Sequence, residues 1–140
     1  MKGRVLVRAA VVAGLIGVCS LHEAPAAEPA APATAPCAEC GMNVEVGGRF
    51  TSRIVQGART LFFCDIGDLV SFVNRTQPKE PAASVRDYPS GEWIAASEAV
   101  FAIDTKAYPT PMGWGIAAFR DRKAVPGTPL DFPALQRALR

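Results

Sequence analysis

Three sulfur atoms fall within the six residues from Cys37 to Met42, carried by Cys37, Cys40 and Met42. Thiolate and thioether sulfurs are soft donors, and soft donors select Cu(I) over hard cations. A further soft donor, Met112, lies far along the chain in a Pro-Met-Gly-Trp-Gly stretch. We therefore expect the two stretches to meet in space and to bind a copper ion.

The Cys37–Cys40 pair is also open to other interpretations. A structural disulfide is common in an oxidising compartment, and thiol-disulfide redox proteins use the same spacing where a helix follows a strand. An Ala/Pro-rich segment precedes Cys37 and Gly41 follows Cys40, which is a poor context for a thioredoxin-like helix start. Cys64 ends an apolar segment, where a free cysteine is usually a small buried side chain rather than a ligand.

Residues 1–26 have the pattern of a secretory signal sequence. A basic start is followed by an apolar run from Ala9 to Cys19, which is shorter than the ~20 residues that a membrane-spanning helix needs. Small residues before a cut after Ala26 complete the pattern, so we expect export to the periplasm. Cys19 leaves open a lipid anchor at the membrane, although Val18 departs from the small residue that a lipoprotein signal places there.

Removal of the signal sequence excludes several classes of function. His22 is the only histidine and lies within it, so the mature chain can form neither a histidine zinc site nor a Ser-His-Asp triad. The three remaining cysteines are too few for a four-cysteine zinc site. Nothing in the pattern suggests catalysis, and we expect the protein not to be an enzyme.

The charge of the chain also belongs largely to its N-terminus. The sequence has 15 basic and 13 acidic side chains, and residues 1–26 contain three of the basic and one of the acidic ones. The mature chain therefore has 12 of each and a formal net charge of zero. Without a basic tract, nucleic acid is excluded as a partner.

The remaining sequence divides into a tether and one folded region. Residues 27–36 are rich in Ala and Pro, and we expect them to form a disordered tether, with folding from Cys37 to Arg140. Residues 77–84 contain two prolines and are predicted to link two halves. Alternation and turn residues predict strands at 50–56, 60–64, 85–88, 99–103 and 115–119, and helices capped by Asp65 and by Asp131.

The second half repeats the order of the first: a sulfur-bearing loop, a strand, a connection and a helix. The pattern indicates an α+β fold of two small pseudo-repeated halves, at about 37–76 and 85–140. Neither half is long enough to bury a sufficient core alone, so we expect the two to pack as one compact body.

Several short motifs, taken in order, resemble the NosL family. They are Cys-x-x-Cys-Gly-Met at 37–42, Phe-Cys-Asp-Ile-Gly-Asp-Leu at 63–69, Gly-Glu-Trp-Ile at 91–94 and Pro-Met-Gly at 111–113. The resemblance spans most of the mature chain, and the ordered combination is more specific than any one motif.

The resemblance implies an exported copper chaperone associated with nitrous oxide reductase and its maturation machinery. It implies one Cu(I) bound by Cys40, Met42 and Met112, and it leaves Cys37 open as a further ligand, a spare thiol or a redox gate. It also implies two ββα-type halves related to the organomercurial lyase fold. The alternative function from the residues themselves is an exported thiol-disulfide redox protein using Cys37 and Cys40.

Overall fold

The computed structural model of the chain describes residues 32–79 and 81–140. The predicted signal sequence, Cys19 and the first part of the predicted tether lie outside these residues. The described strands are β1 (Thr34–Pro36), β2 (Asn43–Glu45), β3 (Ser52–Gln56), β4 (Arg59–Phe63), β5 (Ala82–Arg86), β6 (Trp93–Ala95), β7 (Val100–Ile103) and β8 (Ile116–Phe119). The helices are α1 (Ile66–Thr76), α2 (Phe132–Ala138) and a short 3-10 helix at Arg122–Ala124.

The strands form three small sheets in which neighbours run antiparallel. The largest has four strands in the order β4-β3-β5-β6, and β1-β2 and β7-β8 form two-stranded sheets. The hairpins β3-β4 and β7-β8 are each followed along the chain by a helix. The architecture is therefore a mixture of helices and strands, as the sequence predicted.

The folded region begins inside the segment that was predicted to be a tether. Thr34–Pro36 form β1, which pairs with β2 in the register Thr34 to Glu45. Pairing satisfies the backbone of this Ala/Pro-rich run, and proline is tolerated at the end of an edge strand because it lacks only a donor. The prediction that folding starts at Cys37 is therefore wrong by three residues. The predicted linker at 77–84 is also shorter, since β5 begins at Ala82.

Both predicted helix caps are confirmed. The Asp65 side chain accepts a hydrogen bond from the Gly67 backbone N–H at 3.1 Å, and the Asp131 side chain accepts one from the Ala134 N–H at 2.7 Å. Such caps satisfy donors that the first turn of a helix leaves unpaired. Within the described residues, neither α-helix is long and apolar enough to cross a bilayer.

One apolar core joins elements from both halves of the chain. Ile54 of β3, Leu69 of α1, Phe101 of β7 and Leu135 of α2 are all fully buried in it. Burying an aliphatic or aromatic side chain of this size contributes about 1.5–3 kcal/mol. Because the same core is lined from both sides of residue 80, the two halves pack as a single body.

The sulfur loop, residues 37–42, has a tightly bonded backbone. The Cys37 N–H donates to the Met42 carbonyl at 2.7 Å, and the Gly41 N–H donates to the Cys37 carbonyl at 2.9 Å. The Ala38 N–H donates to the carbonyl of Phe62, which ties the loop to β4. Gly41 has φ +77°, a conformation that favours glycine and closes the turn.

A second loop, residues 87–92, makes the same backbone hydrogen bonds and is called the polar loop below. The Asp87 N–H donates to the Glu92 carbonyl and the Gly91 N–H to the Asp87 carbonyl, both at 2.8 Å. The Tyr88 N–H donates to the carbonyl of Ala118 in β8, and Gly91 has φ +73°. The two loops therefore present side chains from the same kind of backbone frame.

Candidate metal centre

The sulfur loop, the end of β4 and the first turn of α1 bring four potential metal ligands together. Ligand atoms of Cys37, Cys40, Cys64 and Asp68 all lie within 4.8 Å of one another. The Cys40 and Cys64 sulfurs are 3.6 Å apart. All three cysteines in the described part of the chain are free thiols.

Each of these side chains is placed by a local feature of the sequence. Cys64 directly follows β4 and precedes the Asp65 cap, and Asp68 lies in the first turn of α1, where its carboxylate accepts from the Cys64 thiol. The backbone of the sulfur loop is bonded to β4 just before Cys64, which brings Cys37 and Cys40 to the same place. Glu39 in the loop forms an ion pair with Arg75 in the last turn of α1.

Asp68 is the acceptor at the centre of the cluster. Its Oδ2 atom accepts from the Cys64 thiol at 3.3 Å and from the Cys37 thiol at 3.5 Å, while its Oδ1 atom accepts from the Trp114 indole N–H at 3.1 Å. Asp68, Cys37 and Cys64 are all buried. A buried carboxylate needs such donors because it has lost its hydration.

The loop between β7 and β8 is fastened directly to this cluster. The Met112 backbone N–H donates to Asp65 Oδ2 at 3.2 Å, and the Trp114 indole packs against Gly67 in α1. A Cβ atom added to Gly67 would lie 2.0 Å from Trp114 Cγ. Glycine at this helical position is thus required for the indole to reach Asp68.

Both methionines of the two predicted stretches are at the surface. The side chains of Met42 and Met112 are each 44% exposed, an unusual position for large apolar residues. Met42, Cys64 and Pro111 line one cavity of about 260 Å³. Met42 and Pro111, the residue before Met112, therefore border the same space as Cys64.

The surroundings of Cys40 and Cys64 favour the protonated form of these two thiols. Burial raises the pKa of Cys64 far above its ordinary 9.0, and its hydrogen bonds with Cys40 and Asp68 raise it further. Burial also raises the pKa of Cys40. The pKa of the nearby Asp65 carboxyl is raised by burial as well, although hydrogen bonds from Thr110 and two backbone N–H groups oppose the change. A metal that binds these sulfurs must displace protons.

The sequence-based set of ligands is partly assembled in the structure. Cys37 and Cys40 lie together, and the stretches containing Met42 and Met112 border the same cluster. Sequence reasoning missed Cys64, which was interpreted as a small buried side chain, and Asp68. Cys64 is indeed buried, at 5% exposure. The sequence does carry a signal for both residues. Cys64 follows a predicted strand, and Asp68 comes four residues later, just after the predicted helix cap at Asp65.

The polar loop has no such cluster, because its side chains satisfy one another. Asp87 accepts from the Ser90 hydroxyl at 2.6 Å and from the Arg120 backbone N–H at 2.8 Å. The Arg120 guanidinium pairs with Glu92 at 3.0 Å. By position in the loop, Ser90 corresponds to Cys40 and Glu92 to Met42.

The chemistry open to the cluster is the binding of a soft, low-coordinate metal. Thiolates and thioethers together suit Cu(I), whereas a four-thiolate zinc site would need one more cysteine than the described residues contain. Two thiolates would neutralise the single positive charge of Cu(I) and give the site a net charge of −1. A third would add a further charge beside the Asp68 carboxylate, which disfavours ionising all three thiols together.

Comparisons with known sequences support this interpretation. The NosL family model matches residues 30–125, well over half of the 140-residue chain. No curated protein matched the chain. No solved structure matched it either. The family is one of copper-binding chaperones, which agrees with a thiol cluster able to bind metal.

Proposed function

The chain belongs to the NosL family, and on this basis we propose that it is an exported copper chaperone that carries Cu(I) on cysteine and methionine sulfurs. The observation that carries the proposal is the convergence of the Cys37, Cys40 and Cys64 thiols beside two exposed methionines. Copper is the cargo of such a protein rather than a catalytic group, and the protein is not an enzyme.

The proposed ligands are those of the two sulfur stretches together with one addition. Cys40, Met42 and Met112 supply one thiolate and two thioethers at the surface, and Cys64 adds a second thiolate 3.6 Å from that of Cys40. Cys37 lies within reach of the same ion, and its thiol donates a hydrogen bond to Asp68, as the Cys64 thiol does. We assign it the role of a reserve ligand.

This arrangement suits transfer of the ion better than storage. Cys40, Met42 and Met112 are exposed, so the ligands of an acceptor can replace them one at a time while the buried Cys64 still holds the ion. Cu(I) then passes between sulfur sites without being released to solvent. Cu(I) tolerates the low coordination numbers that such an exchange requires.

The proposal extends to the acceptor, the location and the ancestry of the fold. We propose nitrous oxide reductase, with its maturation machinery, as the recipient, and export through residues 1–26 to the periplasm with a membrane tether at the N-terminus. We further propose that the chain is two related ββα-type halves similar to the organomercurial lyase fold. The matching hydrogen bonds of the sulfur and polar loops support this pseudo-repeat.

The proposal is tested by counting Cu(I) ions on protein purified and titrated without oxygen. We expect about one Cu(I) per chain, retained against a weak competing chelator and lost from Cys40→Ser. Met112→Leu should weaken binding while preserving the volume of the side chain. Ser90→Ala, the equivalent position in the polar loop, is the matched control and should retain copper. Unchanged binding by Cys40→Ser would refute the proposed site.

The acceptor is tested separately by copper transfer. Loaded protein is mixed with copper-free nitrous oxide reductase, the two are separated, and copper is measured in each. The alternative of a redox protein using Cys37 and Cys40 predicts a reversible thiol couple, no stoichiometric copper, and indifference to changes at Met42 and Met112.

A further inference from the structure

One pair of thiols in the cluster lies close enough to bond after a small movement. The Cys40 and Cys64 sulfurs are 3.6 Å apart, so a bond of about 2.05 Å requires them to approach by about 1.5 Å. Cys40 lies on the exposed turn of the sulfur loop, whereas Cys64 is fixed between β4 and the capped start of α1. Movement at the exposed Cys40 position would therefore close the gap, while the hydrogen bonds between Cys37, Gly41 and Met42 hold the ends of the loop.

The third thiol, that of Cys37, shares the acceptor of Cys64 and differs in how its backbone is held. The Cys37 thiol is buried at 3% exposure and donates to Asp68 Oδ2. Its backbone is held on both sides, since its N–H donates to Met42 and its carbonyl accepts from Gly41. Cys37 is therefore held in place, so a Cys37–Cys40 bond would also depend on movement of Cys40, whose sulfur already lies 3.6 Å from that of Cys64.

We propose that Cys40 and Cys64 form a reversible disulfide, and that this bond is an oxidative switch of the metal site. The effect on copper rests on the proposed function, but the disulfide itself does not. Formation of the bond removes both thiolates of the proposed ligand set. The ion would then be held only by thioethers and by Cys37, which favours its release.

The oxidant is a disulfide, either a small molecule or an oxidised dithiol protein. The exposed Cys40 thiolate attacks one sulfur of that disulfide, forms a mixed disulfide and expels the first thiolate. Cys64 then attacks the Cys40 sulfur and expels the second. The two cysteine protons pass to the departing thiolates, so one disulfide is formed and one is reduced to two thiols. Copper stays in the Cu(I) state throughout.

The pairing is tested by peptide mapping of a Cys19→Ser chain oxidised with glutathione disulfide. Cleavage at glutamate and arginine separates Cys37 from Cys40, because Glu39 lies between them, and yields peptides 40–45 and 60–75. We expect these two peptides to be joined, and the free thiols to fall from three to one. Cys37→Ser should form the same bond and Cys64→Ser should not.

A dominant Cys37–Cys40 linkage, or no intramolecular bond at all, would overturn the inference. A second arm loads the reduced Cys19→Ser chain with Cu(I) before oxidation in the presence of a chelator. Loss of copper that is reversed by reduction supports the switch, and retention of copper by the cross-linked chain overturns it. If the reduced chain binds no copper, the proposed function fails while the peptide map still decides the pairing.

Discussion

Replacing Gly67 by alanine should destabilise the protein, although helix propensity alone predicts the opposite. Gly67 lies in the first turn of α1, where alanine is normally favoured over glycine by up to about 1 kcal/mol. The new methyl group would, however, lie 2.0 Å from Trp114 Cγ and 2.3 Å from the two adjoining ring atoms. These atoms are at the root of the indole, so the entire side chain must move.

The size of the effect follows from what the indole loses. Its hydrogen bond to the Asp68 carboxylate contributes about 1.5–3 kcal/mol. A half-buried indole covers about 100 Å² of apolar area, equivalent to about 2.5 kcal/mol at 25 cal/mol per Å². Allowing for partial recovery by rearrangement and for the gain in helix propensity, we expect a net loss of about 2–4 kcal/mol in the free energy of unfolding.

Urea denaturation at equilibrium measures this loss, and Gly47→Ala is its control. A Cβ atom at Gly47 meets nothing within 4 Å, so that variant should lie within about 0.5 kcal/mol of the wild type. In an NMR spectrum, the indole N–H signal of Trp114 should shift in Gly67→Ala while that of Trp93 should not. A Gly67→Ala protein that is as stable as the wild type, with an unshifted Trp114 signal, would refute the packing described for this site.

Three further predictions concern the titrating groups. Because the pKa values of Cys40 and Cys64 are raised above 9.0, protons compete with copper for the two thiolates. The affinity for Cu(I) should therefore rise with pH, by up to about tenfold per pH unit for each proton displaced. Chelator competition at two pH values measures the affinity, and an affinity that does not change with pH would contradict the prediction. Asp68→Asn removes a carboxylate that raises the pKa of Cys64, so Cys64 should react faster with iodoacetamide at a given pH. The number of Cu(I) ions bound per chain should not change. Loss of copper from this variant would instead show that Asp68 is a ligand. Asp87→Ala leaves backbone donors unpaired and should lower the free energy of unfolding, measured in urea at neutral pH, by about 2–4 kcal/mol. Burial opposes ionisation of Asp87, but hydrogen bonds from Ser90 and Arg120 outweigh it and hold the pKa of Asp87 below 3.8. The difference in stability should therefore shrink as the pH falls below 3.8 and the wild-type carboxylate is protonated.

Local features of the fold could be predicted from the sequence, because they depend on neighbouring residues. The caps at Asp65 and Asp131 and the hairpin around Gly57 follow from side chains within a few positions of each other. The start of the fold could not be predicted in this way. An Ala/Pro-rich segment lacks the alternation of a strand, and β1 forms only because β2 offers a partner for its backbone.

The candidate metal centre was predictable in part for the same reason. Sulfur chemistry and short spacing pointed to Cys37, Cys40 and Met42 together, and the family resemblance implied Cys40 and Met42 as ligands while leaving the role of Cys37 open. The involvement of Cys64 depends on contact between the sulfur loop and β4, which brings together residues 24 positions apart. Periodicity along a strand reports only that such a residue is buried, and it does not report which side chain faces it.

The two loops with matching backbones have a consequence for protein engineering. Residues 37–42 and 87–92 share their hydrogen bonds and a glycine with positive φ, so the two loops differ in their side chains and not in these backbone features. The polar loop is accordingly a ready acceptor for a grafted site. Cysteines at positions 87 and 90 and a methionine at position 92 would require no new backbone conformation in this loop. They would remove the salt bridge between Arg120 and Glu92 and the hydrogen bonds of the buried Asp87.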